Sequence, residues 1–228
     1  MKISGDPEKY WSERDIDMNS DWNDNSSEWV QSYQESINHS HRKYLINTIS
    51  KVNPNSILEI GCNCGPNLYL LSKKYPNARI VGIDINKKAI LKGKEWFAKE
   101  GITNVEFIVG KAEDISKFND REFDVVFTDA ILMYIDKDKV IDIIKDIYRI
   151  VNKKIVLIER MVSSGPIGFS NGSSTYTSGH WRHDYYKLFN PYVNITNKKQ
   201  MKLTSITKRI WDNEWWITYG VMIEVYKK

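Results

Sequence analysis

Cysteine is nearly missing from this 228-residue chain: there are two, Cys62 and Cys64, two positions apart. So close a pair can neither staple a secreted fold nor supply the ligand spacing of a zinc knuckle, so neither a disulfide framework nor a metal site is expected. No apolar run approaches the roughly 18 residues of a membrane span, and Met1–Asp6 carries no apolar signal-peptide core. A soluble, cytoplasmic chain without a membrane partner is the expectation. Like charges never run to five, and 33 Lys and Arg against 29 Asp and Glu leave a net charge of only +4. That mild balance gives no reason to expect a nucleic-acid partner.

What the chain does have is alternation. Apolar runs and turn residues predict strand 56–60, helix 66–75, strand 79–83, helix 87–100, strand 104–109, strand 123–128, helix 137–151 and strand 154–159. Such alternation implies an α/β, Rossmann-like, doubly wound and mostly parallel sheet covered on both faces. Helical spacing from about Ser27 to Lys51 stops at Asn53-Pro54-Asn55. The division expected is residues 1–52 as an N-terminal helical cap and 53–228 as one domain, with 163–189 as a loop or insertion on the substrate side. A short helix is expected at 181–189. The tail, Leu203 to Trp211 and Trp216 to Tyr226 around Asp212-Asn213-Glu214, predicts a terminal antiparallel hairpin. The first 28 residues interleave Tyr10, Trp11 and Trp22 with Asp15, Asp17, Asp21 and Asp24, and Trp29 follows; they are either a lid on a cleft or an arm packed on the surface.

The richest stretch is Ile57-Leu58-Glu59-Ile60-Gly61-Cys62-Asn63-Cys64-Gly65-Pro66-Asn67, followed by a second apolar strand ending in Asp84. A strand that turns on Gly61 and Gly65 into a helix, with an acid closing the next strand, is a nucleoside-cofactor site: Asp84 can accept from both ribose hydroxyls. Two of the three glycines of G-x-G-x-x-G are missing or misplaced, and Glu59 would repel a diphosphate. Beside an ammonium the same charge is favourable, which argues for S-adenosylmethionine.

On these residues the chain resembles the class I S-adenosylmethionine-dependent methyltransferases, over roughly residues 40–160 and less specifically the tail. The resemblance implies a seven-stranded sheet whose last strand inserts antiparallel. It also implies that the methionine part of the cofactor lies against Glu59, Gly61, Asn63, Gly65 and Asn67 and against Thr128-Asp129-Ala130. Ribose would take Asp84, and adenine would sit between Ile85 and the turn Gly110 to Asp114, near Ala112 and Glu113 or Asp114. The chain departs from the family at Lys111, where an acid is common, and Asp114 could instead merely cap its turn.

Acceptor-side candidates follow strands four and five and the Gly179–Tyr186 cluster. Tyr134, Glu159 and Arg160 stand at strand ends. If the cluster is helical, His180 faces Asp184 at i, i+4 and becomes a general base; Trp11, Trp181, Arg182 and Tyr185 would join Glu159 on the substrate. The competing reading packs Trp181 and Tyr185 on the sheet. His39 and His41, two apart, would not share a helix face; one of them is a possible substrate contact, and no metal site is expected there.

The expected activity is methyl transfer to oxygen or nitrogen of a small polar metabolite. A base methyltransferase is disfavoured because Thr128-Asp129-Ala130-Ile131 lacks the Asn/Asp-Pro-Pro-aromatic pattern. An NAD-dependent oxidoreductase and a non-catalytic cofactor-binding protein share the strand, glycine turn and late acid, and remain alternatives.

Overall fold

The structure is a computed structural model that describes residues 6–14, 29–162, 174–177 and 179–227, with Trp29 and Val30 described by backbone alone. Trp22, Asp15, Asp17, Asp21, Asp24 and most of the 163–179 stretch lie outside the described residues.

Two short helices, α1 (Pro7–Glu13) and α2 (Trp29–Glu35), and a longer one, α3 (Ser40–Ile49), precede the alternating part. It runs β1 (Ser56–Ile60), α4 (Pro66–Lys74), β2 (Arg79–Asp84), α5 (Lys87–Lys99), β3 (Val105–Val109), β4 (Phe123–Asp129), α6 (Lys139–Ile150) and β5 (Val151–Arg160). Then come β6 (Thr175–Thr177), β7 (His180–Arg182), α7 (Tyr185–Phe189), β8 (Met201–Ser205), α8 (Glu214–Tyr219) and β9 (Gly220–Tyr226). Seven strands form one sheet in the order β3-β2-β1-β4-β5-β9-β8, parallel except at β9, which is antiparallel to both neighbours. The reversal of order between β1 and β4 opens a crevice at their carboxyl ends, where ligands bind in such sheets.

Alternate residues of each strand serve opposite layers. Leu58 and Ile60 face the layer built with Val140, Ile143, Ile144 and Ile147 of α6. Ile57 faces the layer of Leu45 and Ile49 on α3, Leu68 and Leu71 on α4, and Ile90 and Phe97 on α5. Each of these buried side chains contributes about 1.5–3 kcal/mol of transfer free energy. Buried between β5 and β9 is a charged pair, Lys154 Nζ to Glu224 Oε2 at 2.6 Å, with the ammonium also donating to the Thr48 carbonyl at 2.8 Å.

Two expectations for the C-terminal third are corrected. Residues 206–219 are no hairpin turn: Asn213 caps α8 by accepting from the N–H groups of Trp215 and Trp216, so the tryptophan run is helical and only 201–205 and 220–226 pair. Residues 180–182 are a strand paired with 175–177, and the helix begins at Tyr185 with Asp184 as its N-cap. His180 and Asp184 therefore share no helix.

Candidate active site

Gly61 and Gly65 take the chain from β1 into α4 with φ of +78° and +89°. A Cβ at Gly61 would stand 2.6 Å from Ile131, and one at Gly65 2.7 Å from the Phe107 ring, so the loop closes only with glycine there. Asn63 is also left-handed, at φ 52°, and its side chain accepts from the Cys64 N–H at 2.7 Å. Cys62 and Cys64 are buried, and no cluster able to hold a metal ion exists among the described residues.

Asp84 fastens this loop to β2. One carboxylate oxygen accepts from the Asn63 N–H at 2.7 Å and the other from the Asn86 N–H at 2.8 Å. Burial raises its pKa, and those two backbone donors oppose the rise. Asp84 lines the cavity, and each oxygen keeps acceptor capacity beyond its one backbone bond.

Beneath the loop lies a network that joins four elements. Asn67 donates to Glu59 Oε1 at 2.7 Å and to Asp129 Oδ2 at 3.0 Å, while its own oxygen accepts from Arg42 at 2.9 Å. Asp129 Oδ2 also meets His41 Nε2 at 3.0 Å, and His41 Nδ1 meets His39 Nδ1. The helix that carries His41 starts at Ser40, so His39 lies outside it as N-cap and turns back onto His41. The two residues share no helix face, as expected, but the rings meet because His39 stands outside the helix. Burial pushes Glu59 up to about 8, whereas Asp129, on which burial also acts upward, is held well below the carboxylate range by His41, Arg42 and Asn67. Both histidines are shifted down, first by burial.

Two oxygens of this network, Glu59 Oε2 and Asp129 Oδ1, are buried without a hydrogen-bond partner. Unsatisfied buried acceptors are costly; Arg42 already faces Asp129 Oδ2 at 3.4 Å, so Asp129 Oδ1 and Glu59 Oε2 are the atoms left for a further donor. The ammonium of a methionine moiety meets that demand; a diphosphate would worsen it.

The surrounding cavity is about 1030 Å³, large for one nucleoside cofactor alone. Its walls include Glu59, Gly61, Asn63, Asn67, Asp84, Ile85, Ala112, Glu113, Asp129, Tyr134, Trp11, His180 and Trp181, all expected from the sequence. Helix α1 lies over it: Asn86 donates to the carbonyls of Trp11 and Arg14 at 2.8 and 2.9 Å, and Glu8 pairs with Lys111 and Lys139. Lys111, the departure from the family pattern, thus pairs with Glu8 of α1. Asp114 accepts from the Lys111 N–H at 2.9 Å and caps its turn.

Other expected site residues stand elsewhere. Glu159 is fully buried and accepts from Thr128 Oγ1 at 2.7 Å and from the N–H groups of Ile131, Leu132 and Met133 at 3.0, 3.0 and 3.3 Å. It shapes the loop after β4 and does not face the cavity, and Thr128 is buried as its partner. Burial pushes Glu159 up to about 7 against those donors. Tyr185 is buried in the core, Gly65 and Asp184 serve as helix caps, and Arg182 stacks on Tyr219, with its guanidinium 4.2 Å from the ring centroid. None of the four lines the cavity.

Sequence reasoning missed a wall of rings. His41 stacks on Trp211 with centroids 4.1 Å apart, Trp211 stacks on Trp216 at 4.1 Å, and Arg160 caps Trp216 at 5.3 Å. Tyr134 stands across from His180, centroids 5.2 Å apart, with Trp11 edge-on at 5.1 Å.

Residues 57–154 match the family model described as a methyltransferase domain. Over 85 residues the chain is 36% identical to a demethylmenaquinone methyltransferase of Thermotoga maritima, covering 37% of this chain and 34% of that protein. Over 123 residues it is 30% identical to a malonyl-[acyl-carrier protein] O-methyltransferase of Ilyobacter polytropus, covering 53% and 40%. The chain thus spans well under half the length of these curated relatives. In fold it is similar to the PH0226 protein of Pyrococcus horikoshii, with TM-score 0.59 and 17% identity over 92% of this chain and 97% of that one.

Proposed function

We propose that this chain, a member of the class I S-adenosylmethionine-dependent methyltransferases, transfers the donor's methyl group to oxygen or nitrogen of a small polar metabolite. The observation that carries the reading is the pair of orphaned carboxylate oxygens on Glu59 and Asp129 beneath a glycine turn that Asp84 ties down. A sulfonium donor supplies an electrophilic methyl group and a neutral thioether leaving group. What the chain adds is placement, which can be worth several orders of magnitude in rate.

Glu59, Asn67 and Asp129 hold the ammonium, Asp84 the ribose hydroxyls, and Ile85, Ala112 and Glu113 border the adenine. Helix α1 acts as the cap, with Trp11 and Tyr134 excluding water from the reacting atoms, while α3 belongs to the layer packed on the sheet. As the methyl carbon leaves sulfur and bonds to the acceptor atom, that atom's proton needs a base. Ionised Asp129 sets His41 with Nε2–H donating to it. One further proton is then shared between His41 Nδ1 and His39 Nδ1, and a proton arriving on either ring is stabilised by Asp129. The histidine pair, both members shifted toward the neutral form, takes the role that a helical His180–Asp184 pair would have had.

Incubating the protein with S-adenosylmethionine and metabolite pools, and reading S-adenosylhomocysteine together with a product heavier by one methyl group, tests this. Product with a small polar acceptor supports the reading. S-adenosylhomocysteine binding without product in any pool would leave a cofactor-binding protein instead.

A further inference from the structure

Arg160 ends β5 opposite Gly220 of β9 and lines the cavity next to its sequence neighbour Glu159, whose carboxylate is committed to the loop after β4. Its guanidinium lies 5.3 Å from the Trp216 centroid and 5.8 Å from that of Trp215. Its Nε–H is buried with no hydrogen-bond partner. Arg182, on β7, repeats the pattern: it stacks on Tyr219, its Nε–H is buried without a partner, and its Nη2 reaches only Thr177 Oγ1 at 3.5 Å. Among the described residues, no carboxylate forms an ion pair with either.

The two cations also oppose each other. Burial lowers the Arg160 pKa; Tyr134 and Glu159 counter this, and Arg182 adds to the lowering. Stacking on indoles offsets part of the desolvation but leaves an N–H donor unsatisfied. A guanidinium presents its donors in a planar fork that matches the two oxygens of a carboxylate or phosphate.

We propose that Arg160, backed by Arg182, is an oxyanion subsite of the acceptor pocket, so that the acceptor carries a carboxylate or phosphate group at the end remote from the methylated atom. This deepens the methyl-transfer reading and rests on it, because the subsite belongs to the same cavity as Asp129 and His41. The stack His41–Trp211–Trp216–Arg160 then spans the acceptor's length: the histidine pair at one end takes the proton, the indoles face the body, and the guanidinium holds the anion.

The test uses the full chain with saturating S-adenosylhomocysteine and three probes of one ring size: phenyl phosphate, benzoate and phenol, followed by calorimetry and tryptophan fluorescence. Phenyl phosphate or benzoate is expected to bind about tenfold or more tighter than phenol, and Arg160→Gln to erase that difference. S-adenosylhomocysteine affinity should remain within about threefold in the same variant. Arg182→Gln should reduce the discrimination less. Arg160→Lys keeps the charge without the fork and, if Arg160→Gln does not fold, carries the test with an intermediate loss expected. Equal binding of anionic and neutral probes, no measurable binding of either anion, or discrimination that survives removal of Arg160 would overturn the proposal. A loss of S-adenosylhomocysteine binding equal to the loss of phenyl phosphate binding would assign Arg160 to the donor's carboxylate and also overturn it. Failure of the wild-type protein to bind S-adenosylhomocysteine would instead count against the methyl-transfer reading, and the anion comparison is then read on the free protein.

Discussion

His41 Nε2 and Asp129 Oδ2, 88 positions apart in sequence, meet at 3.0 Å, and through His39 they make a chain of one carboxylate and two imidazoles on the cavity wall. In the proposed mechanism ionised Asp129 favours the tautomer of His41 that donates from Nε2, which leaves the far side of the pair to act as the base. His41→Gln is expected to lower turnover by about 10²–10⁴-fold at neutral pH while S-adenosylhomocysteine affinity, measured by calorimetry, changes little. Unchanged turnover with the correct acceptor would remove the base role from this pair.

If the donor's ammonium sits against Glu59 as proposed, cofactor binding should depend on pH. Burial raises its pKa to about 8, so below that pH the free protein holds a proton there. Donation from an ammonium to Glu59 requires the ionised form, and the proton is therefore released on binding. The S-adenosylhomocysteine Kd is expected to fall as pH rises from 6 to 8, by at most about tenfold per unit, and then level off. Glu59→Gln should bind more weakly and show no such slope. A flat wild-type profile would contradict the ionisation assigned to Glu59.

Helix α1, the proposed cap, is tied down at Glu8, which pairs with Lys111 and with Lys139 at 3.1 Å, all at the surface. Exposed pairs of this kind contribute about 0–1 kcal/mol each, so Glu8→Gln should speed S-adenosylhomocysteine release by about two- to fivefold. Stopped-flow fluorescence in low and high salt reads both the effect and its screening; identical release rates would show that Glu8 does not restrain the cap.

In the sheet, Lys154 and Glu224 are buried together. Glu224→Ala leaves the ammonium unpaired in the core and should cost about 3–5 kcal/mol, lowering the Tm by on the order of 10 °C. The double change Lys154→Met with Glu224→Leu should recover most of that loss. Calorimetric scans of the three proteins decide it.

How much of this was legible beforehand follows from the range of the interactions. The β1 turn, Asp84 and the strand–helix alternation depend on contacts within about 30 residues, where periodicity and glycine spacing carry the signal. His41, Arg42 and Trp211 reach the site from segments that precede and follow the alternating units, and nothing in Asn38-His39-Ser40-His41 marks a partner at Asp129. The antiparallel pair at the end of the sheet is present as expected, but its strands are shorter, because the β-branched and aromatic residues of 206–211 and 216–219 read as strand while Asn213 caps a helix. Glu159 and Arg160 show the limit most sharply: adjacent strand-end residues point to opposite sides, and only the pleat assigns the acid to the loop and the guanidinium to the cavity.

Calorimetric titration of the folded protein with S-adenosylhomocysteine, beside Asp84→Ala and Asp84→Asn, tests the central claim most directly. Saturable binding is expected, weakened by about 10- to 100-fold in the alanine variant and less in the asparagine variant, which keeps one acceptor oxygen. No heat with the wild-type chain, or equal affinity in all three proteins, would contradict the assignment of this cleft to an adenosyl cofactor.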